Sequence, residues 1–410
     1  MNGLPHVESG SNFKKESFIM ATLFKNANIV DVIGGTVLEN AAVLVENGLI
    51  KEVGAEIAAP ADAKIVDLAG KTMLPGLFNC HIHMCSGAGT GARETLSDAN
   101  LTVRALKNLK TLVNSGVTYV RDAGAPNFID VDLHEAQVKG DILAPEMQTS
   151  GRCICMTGGH GHADGREADG ADDCRKAARE NLKGGANWIK LMATGGVMTK
   201  GVEPGSPQLT EEELRAAIEE AHKVGAKTFT HAQGMTGIKN ALRAGIDSIE
   251  HGFFMDDWCF DWMKEHNVFF VPTLAAPYWI KHYGTAAGIP DYMVRKVENT
   301  IEAHMDTFRR AHKAGVKIAL GTDAGTPFNK FDKTAFEAIL MVENGMTPME
   351  AIQCGTIHAA ELMSVKETHG SITVGKKAHF AIFEKSPLED IHAMMDCAMT
   401  VMNGEIVFEK

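Results

Sequence analysis

A short pattern recurs five times along the middle of the chain and constrains its fold more than any other feature. Each copy is a helical stretch that ends near a glycine, followed by a short apolar run that ends on a polar residue. The runs end at Asp122, Lys190, His231, His251 and Asp323. Because glycine is a common helix C-cap, we expect a strand to begin directly after each helix. Strands that alternate with helices are typical of parallel βαβ units.

Three further strands bring the predicted total to eight. Leu77–His83 precedes the first copy, Pro145–Thr149 follows it, and Val268–Leu274 lies before the last copy. Eight parallel strands with intervening helices predict an α/β fold, specifically a (β/α)8 TIM barrel. The stretch Ala275–Arg310 is predicted as a loop and a helix that cover the mouth of the barrel.

The two ends of the chain differ from the middle. Residues 20–74 and 369–410 contain short alternating strands joined by tight turns, of which Asn403-Gly404 is typical of a hairpin. Because neither segment alone can build a core, we predict one small β-sandwich domain formed by both. The barrel is assigned to residues 75–368. Residues 1–19 are polar and are predicted to form a flexible N-terminal extension.

The composition argues against several classes of function. Acidic residues outnumber basic ones, 52 against 40, so we expect no broad nucleic-acid surface. No apolar run reaches the length of a membrane helix, and the N-terminus lacks the apolar core of a signal peptide. The eight cysteines form no C-x-x-C pair and are interpreted as reduced thiols. We therefore expect a cytoplasmic protein without membrane or nucleic-acid partners.

Polar side chains occupy equivalent positions at the carboxyl ends of the predicted strands. In a barrel these ends meet at one face, where the active sites of this fold lie. Any one of these residues alone could be a structural histidine, a helix cap or a lysine that reaches solvent. Imidazole and carboxylate groups together are good ligands for zinc and related ions, so the coincidence predicts a metal site. The candidate ligands are His81, His83, Lys190, His231, His251 and Asp323.

Longer motifs surround these residues. They are Leu74-Pro75-Gly76-Leu77-Phe78-Asn79-Cys80-His81-Ile82-His83, Ile189-Lys190-Leu191-Met192-Ala193-Thr194-Gly195-Gly196, His231-Ala232-Gln233-Gly234, Ile249-Glu250-His251-Gly252 and Gly321-Thr322-Asp323-Ala324-Gly325. Together they resemble the amidohydrolase superfamily over nearly the whole chain from about residue 22. The motifs are most similar to its prolidase-like branch, which contains Xaa-Pro dipeptidases, arginine and lysine carboxypeptidases, and ochratoxin-type amidases.

The resemblance implies a binuclear metal centre. His81, His83 and Asp323 would hold one divalent ion, and His231 and His251 would hold the other. Lys190, carboxylated on its amine by carbon dioxide, would bridge both ions as a carbamate. The nitrogen and oxygen ligand set favours zinc. The chain departs from many relatives at Asn79, which replaces an aspartate and leaves a neutral group near the ligands.

The resemblance also implies hydrolysis of a C–N amide bond by a hydroxide that bridges the two metals. Asp323 would carry the proton from the attacking water to the leaving amine. The expected substrates are dipeptides or N-acyl amino acids with a free C-terminal carboxylate. His160, in the Gly-rich loop after the third strand, and Gln233 are the candidate substrate-binding residues. Arg152 and Arg166 are further carboxylate-binding candidates, although we interpret them as surface or structural charges.

Two other functions are compatible with parts of the pattern. A cyclic-amide hydrolase or deaminase of the imidazolonepropionase-like type would use one metal. Such proteins generally lack the lysine on the fourth strand, so Lys190 argues against this alternative. A non-catalytic scaffold would have lost ligands, whereas all six are present here. The family resemblance further implies a homo-oligomer.

Overall fold

The computed structural model describes residues 21–91 and 96–410. The predicted N-terminal extension, residues 1–19, lies outside the described residues. The strands are β1 Ala21–Asp31, β2 Thr36–Glu46, β3 Leu49–Gly54, β4 Lys64–Asp67, β5 Thr72–Pro75, β6 Leu77–Ile82, β7 Val117–Asp122, β8 Glu146–Gln148, β9 Ile154–Cys155, β10 Arg166–Glu167, β11 Trp188–Met192, β12 Lys227–Ala232, β13 Ser248–His251, β14 Phe269–Val271, β15 Phe380–Phe383, β16 Cys397–Met402 and β17 Glu405–Glu409.

Helices follow most of the central strands. The α-helices are α1 Asp98–Asn114, α2 Ile129–Lys139, α3 Ala171–Lys183, α4 Glu211–Lys223, α5 Met235–Ala244, α6 Asp257–Glu265, α7 Ala275–Tyr283, α8 Asp291–Lys313, α9 Thr334–Glu343, α10 Pro348–Cys354 and α11 Ile357–Leu362. Short 3-10 helices cover Pro126–Phe128, Thr285–Ala287, Phe331–Lys333 and Ile391–Met395.

Glycines in the left-handed conformation end the helices of the recurring pattern. Gly116, Gly185, Gly225, Gly245 and Gly315 all have positive φ and lie within two residues of the last helical residue of α1, α3, α4, α5 and α8. This conformation costs glycine no Cβ clash, so the chain can turn from the helix into the next segment within two or three residues. The C-cap prediction is therefore confirmed at all five positions.

The central strands form two parallel sheets. One has the order β6-β7-β8, and the other has the order β10-β9-β11-β12-β13-β14. Backbone bonds connect the two sheets, because the carbonyl of Thr149 accepts from the N–H groups of Asn187 and Trp188. The strands predicted near residues 80, 120, 147, 190, 230, 250 and 270 are all present. The short strands β9 and β10 flank the Gly-rich loop that contains His160.

The segment predicted as the eighth strand pairs irregularly. Its backbone contacts β14 through the pair Phe270 and Ile318, and contacts β6 through a bond from the Cys80 N–H to the Leu320 carbonyl. The N–H of Leu320 instead donates to Cys354, and Asp323 has a φ of 60°. Because the Leu320 N–H does not donate to a neighbouring strand and the backbone turns at Asp323, a regular strand does not form here. The segment still joins the two edges, β14 and β6.

The two ends of the chain share one eight-stranded sheet. Its order is β17-β16-β15-β5-β1-β2-β3, and β4 pairs with β1. Phe24 on β1 and Phe380 on β15 pack edge to face in the core of this sheet. The predicted association of the terminal segments is therefore observed.

Two further features concern the chain as a whole. All eight cysteines are buried and free, as predicted. Within residues 21–91 and 96–410, no helix combines the length and the apolar composition that crossing a membrane requires.

Candidate metal centre

Five of the six predicted ligands lie together at the carboxyl ends of the central strands. The imidazole ring of His81 is 5.5 Å from that of His83 and 5.1 Å from that of His251, between centroids. The rings of His231 and His251 are 4.5 Å apart. His83 Nε2 lies 3.1 Å from Asp323 Oδ1. One ligand atom each from His81, His251 and Asp323 lies within 4.8 Å of the others, which is close enough for a shared ion.

Lys190, the sixth predicted ligand, is buried beside the histidines. It lies on β11, and its Nζ is 4.7 Å from the centre of the Phe229 ring. Among the described residues, Nζ has neither a hydrogen-bond partner nor a carboxylate within ion-pair distance. Burial lowers the pKa of Lys190 to about 8. An unpaired buried ammonium is unfavourable, so the site favours an uncharged or modified amine.

A buried carboxylate orients the ring of His81. Glu250 Oε2 lies 2.6 Å from His81 Nδ1, and its Oε1 accepts a hydrogen bond from Arg121 at 2.9 Å. An ionised carboxylate only accepts, so Nδ1 carries the proton and Nε2 keeps its lone pair. That Nε2 lies 3.5 Å from Asp323 Oδ1. This arrangement is typical of a histidine prepared to bind a metal.

The other histidines are also held through one ring nitrogen. His231 Nε2 donates to the carbonyl of Gly195 at 3.0 Å, which leaves Nδ1 as the free acceptor. His251 Nδ1 lies 2.7 Å from Thr273 Oγ1. Burial lowers the pKa of His81, His231 and His251 well below the usual value of an imidazole. Neutral imidazoles are the form that binds metals.

His83 and Asp323 behave as an ion pair. Burial opposes the charged ring of His83, but its hydrogen bond to Asp323 outweighs this and raises the pKa of His83. Burial likewise raises the pKa of Asp323, but His83, His81 and Lys190 outweigh this and lower it to about 2. The carboxylate is therefore ionised at neutral pH and available as a ligand or as a proton acceptor.

Three residues in and beside the candidate centre have strained backbones. His251, Thr273 and Asp323 have φ values of 69°, 54° and 60°. Side chains other than glycine rarely adopt this conformation, and for a β-branched threonine it is unusual. Such strain concentrates at functional sites, where surrounding structure holds it in place. Here it turns the chain at the point where each side chain enters the centre.

His160, predicted as a substrate-binding residue, lies directly beside the metal ligands. Its ring centroid is 4.2 Å from that of His231, and its Nδ1 is 2.9 Å from Thr199 Oγ1. Gly196 allows this position, since a Cβ there would lie 2.5 Å from the ring. Burial lowers the pKa of His160 to about 3, so the ring is neutral.

Helix α8 holds the loop that contacts His160. Lys296 is buried and donates to the carbonyls of Gly196 at 3.1 Å and Thr199 at 2.7 Å. Tyr292 donates to the carbonyl of Met198 at 3.0 Å. The predicted covering segment Ala275–Arg310 thus fixes the loop after β11.

The remaining predicted candidates have different surroundings. Gln233 is buried, and its Oε1 has no hydrogen-bond partner among the described residues. Its backbone N–H donates to Thr194 Oγ1 at 2.9 Å. Arg166 is paired with Asp173 and Glu180, at 2.7 Å and 3.0 Å, as a structural charge.

Asn79 is buried and connects two backbone segments through hydrogen bonds. Its Nδ2 donates to Thr322 Oγ1 at 2.8 Å, and its Oδ1 accepts from the N–H groups of His81 and Thr322. It therefore holds β6 against the segment that leads to Asp323. Its hydrogen bond to His81 involves the backbone N–H and not the imidazole.

Sequence reasoning missed Arg121, Glu250 and Thr273. Arg121 and Glu250 are fully buried charges inside short strands, Val117–Asp122 and Ser248–His251. A charged residue in such a strand is a detectable signal, because buried charges are nearly always paired. Thr273 had no such signal.

Comparison with known proteins identifies the family. Residues 72–407 match the sequence profile of the Amidohydrolase family. An ochratoxinase from Aspergillus niger is 29% identical over 404 residues, which cover 88% of this chain and 81% of that protein. An imidazolonepropionase from Pseudomonas fluorescens is 26% identical over 410 residues, which cover 89% of this chain and 93% of that protein.

A solved structure is similar along most of the chain. The crystal structure of a Xaa-Pro dipeptidase with bound methionine in the active site matches with a TM-score of 0.88 and 30% identity, covering 95% of this chain and 100% of that one. Together with the profile match, this likeness agrees with the motifs around the strand ends. The chain therefore belongs to the amidohydrolase family, in the prolidase-like branch of its superfamily, and is a hydrolase that acts on C–N amide bonds.

Proposed function

We propose that this protein is a binuclear metal-dependent hydrolase of dipeptides or N-acyl amino acids with a free C-terminal carboxylate. One observation carries the proposal: His81, His251 and Asp323 each present a ligand atom within 4.8 Å of the others, beside His83, His231 and a buried Lys190. Few arrangements other than a metal centre bring four imidazoles and a carboxylate together in one buried site.

The donor set suits divalent ions, and we propose zinc. His81 Nε2 and His231 Nδ1 keep their lone pairs because the opposite ring nitrogen donates to Glu250 or Gly195. His81, His83 and Asp323 would hold one ion, and His231 and His251 the other. Bound metals of this kind lower the pKa of water and polarise a carbonyl group.

We further propose that Lys190 is carboxylated and bridges the two ions. Its amine is buried among histidines without a carboxylate partner, and burial shifts its pKa toward the neutral form. A neutral amine attacks carbon dioxide, loses one proton and becomes an anionic carbamate. The carbamate supplies two oxygen ligands where an ammonium would repel both cations.

Asp323 is the proposed proton carrier. It is ionised, and its Oδ1 lies at hydrogen-bonding distance from His83. It can accept the proton of the attacking water and deliver it to the amine that leaves.

His160 and Gln233 are the proposed substrate contacts. The Nδ1 of His160 is engaged by Thr199, which leaves Nε2 to face a substrate. A neutral imidazole N–H still makes a strong hydrogen bond to an ionised carboxylate. The unpartnered Oε1 of Gln233 is suited to accept a hydrogen bond from a substrate N–H group.

The experiment that tests the proposal combines a substrate screen with elemental analysis. Purified protein is assayed against dipeptides, N-acyl amino acids and cyclic amides, and its metal content is measured. We expect close to two divalent ions per chain and turnover of free acids. One ion per chain with full activity, and turnover of cyclic amides only, would favour the imidazolonepropionase-like alternative.

The architecture and assembly are proposed as well. The bonds from Phe270 and Cys80 to the eighth segment, and those across Thr149, support a closed eight-stranded barrel. We propose domain boundaries at residues 75–368 for this barrel, and at 20–74 plus 369–410 for a β-sandwich. A homo-oligomer in the cytoplasm with small-molecule or dipeptide substrates completes the proposal.

A further inference from the structure

A second group of metal-ligating side chains lies away from the candidate centre. One ligand atom each from Glu146, His369 and His379 lies within 4.8 Å of the others. Glu146 is the first residue of β8, whereas the candidate centre occupies the carboxyl ends of the strands. His369 contacts the ring of Phe78 near the start of β6, opposite the end that carries His81. The group therefore lies at the other end of the strands.

The orientation of His369 leaves a lone pair facing a carboxylate. Its Nδ1 lies 2.8 Å from Thr368 Oγ1, and its Nε2 lies 3.2 Å from Glu146 Oε2 without forming a hydrogen bond. Because Thr368 Oγ1 donates to the carbonyl of Val365 at 3.2 Å, it accepts from the Nδ1–H of His369, and two acceptors then face one another across this gap. Such a pair is stable only when a proton or a metal cation lies between them.

His379 and Asn403 complete the surroundings. His379 Nε2 lies 3.5 Å from Glu146 Oε1 and donates to Asn403 Oδ1 at 3.1 Å, while its buried Nδ1 has no partner among the described residues. A shift of the proton from Nε2 to Nδ1 would free Nε2 and Asn403 Oδ1 as ligands. Burial lowers the pKa of His379 to about 4, so its ring is neutral. Burial alone raises the pKa of Glu146, but His369, His379 and Lys377 outweigh this and lower it to about 2. A neutral imidazole and an ionised carboxylate are protonation states that metals require.

We propose that Glu146, His369, His379 and Asn403 form a second, structural site for one divalent transition metal ion of the zinc class. Two imidazoles, one carboxylate and one amide oxygen provide a ligand set that suits zinc better than calcium or magnesium. The site is independent of the proposed activity. Its ion joins β8 to the segment before β15 and to the turn between β16 and β17.

Lys377 competes with a metal ion for the carboxylate of Glu146. Its Nζ lies 2.6 Å and 2.9 Å from the two oxygens of Glu146, so an ammonium neutralises the carboxylate. The side chain is 35% exposed and can move into solvent when the ion binds. The partly exposed position of Lys377 offers the ion a path from solvent to Glu146. Removal of this competitor therefore has an effect opposite to that of removal of a ligand.

The test locates zinc in crystals of the intact, metal-loaded enzyme after soaking in zinc chloride. We expect an anomalous zinc peak between Glu146, His369 and His379, in addition to any at the candidate centre. His369→Gln loses this peak and retains hydrolytic activity. Thr368→Val, which leaves the ligand in place, weakens zinc binding by about 10–100-fold. His392→Gln, on an exposed histidine, leaves the peak unchanged.

The Lys377→Met variant distinguishes a metal site from an ion-pair network. If the site binds zinc, this variant binds it more tightly than wild type, and zinc raises its Tm. If Glu146, His369, His379 and Lys377 form only an ion-pair network, Lys377→Met has a lower Tm than wild type. Neither protein then shows a zinc peak at this position. That result overturns the proposal, as does a peak that persists in His369→Gln. Activity decides neither outcome, so failure here is distinct from failure of the proposed function.

Discussion

Glu250 lies 2.6 Å from Nδ1 of His81, and both side chains are fully buried. The second oxygen of Glu250 accepts from Arg121 and from Ser248 Oγ at 2.7 Å. The orientation of a candidate ligand thus depends on a hydrogen-bond network of charged side chains that runs from Arg121 on β7 to Glu250 on β13. This network determines which nitrogen of His81 is available to a metal.

Replacing Glu250 by Gln therefore weakens metal binding while each ligand stays in place. We expect a loss of affinity of about 10–100-fold, measured as metal content in buffers of fixed free zinc concentration. Loss of the charge also leaves Arg121 buried and unpaired, which costs about 3–5 kcal/mol of stability. Ser248→Ala keeps the carboxylate and serves as the control. Equal zinc affinity in Glu250→Gln and wild type would contradict this role.

Replacing Lys190 by Ala removes the proposed bridge between the two ions. We expect activity to be abolished and metal content to fall below two ions per chain. Short carboxylic acids added to the assay should restore part of the activity by occupying the vacated space. Lys239→Ala, which removes a lysine paired with Asp256, is the control for folding. Wild-type turnover in Lys190→Ala would exclude the carbamate.

Asp323→Asn removes the proposed proton carrier with little change of shape. We expect kcat to fall by about 10²–10⁴-fold, the range typical of general acid–base catalysis. Steady-state kinetics and metal content are measured on the same samples, so that lost metal is not mistaken for lost proton transfer. A loss below about tenfold at full metal content would assign the proton transfer to another group.

Replacement of His160 tests recognition of the substrate carboxylate. We expect His160→Ala to lower kcat/KM for a free acid far more than for the matching C-terminal amide, because it removes a donor to the charged group. Gly196→Ala should act in the same direction, since its Cβ would lie 2.5 Å from the His160 ring. Equal losses for acid and amide would mean that His160 only shapes the loop.

Glu337 predicts a pH dependence of stability. Its oxygens accept from the N–H groups of Leu274 at 2.7 Å and Ala275 at 2.8 Å, and burial raises its pKa from 4.5 to about 8. Between these values the unfolded chain has lost this proton and the folded chain retains it. The contribution of Glu337 to stability therefore falls as the pH rises from about 4.5 to about 8.

Urea unfolding at pH 5 and pH 8 measures this effect. We expect the decline in the unfolding midpoint to be smaller in Glu337→Gln than in wild type, because Gln does not titrate. Glu343→Gln removes an exposed carboxylate of the same helix and should show the wild-type decline. The same decline in all three proteins would rule out Glu337 as its source.

The sequence by itself determined the positions of the candidate ligands. The succession of helix, glycine and apolar run is a local signal. It placed His231 and His251 near the ends of β12 and β13, and Lys190 within β11, which continues two residues further to Met192. Parallel strands bring such ends to one face, so the convergence could be predicted without distances. The eighth segment was predicted as a strand but pairs irregularly, because its Leu320 N–H bonds to Cys354 rather than to a neighbouring strand.

Only the tertiary structure decided how those ligands are oriented. Glu250 and His81 are separated by 169 residues, and no local pattern relates them. Their contact depends on strand pairing, on the positive φ at His251, and on burial that makes an unpaired charge too costly. The cluster of Glu146, His369 and His379 likewise joins β8 to the distant segment before β15. Pairings between distant segments are set by packing of the whole chain, which local propensity does not encode.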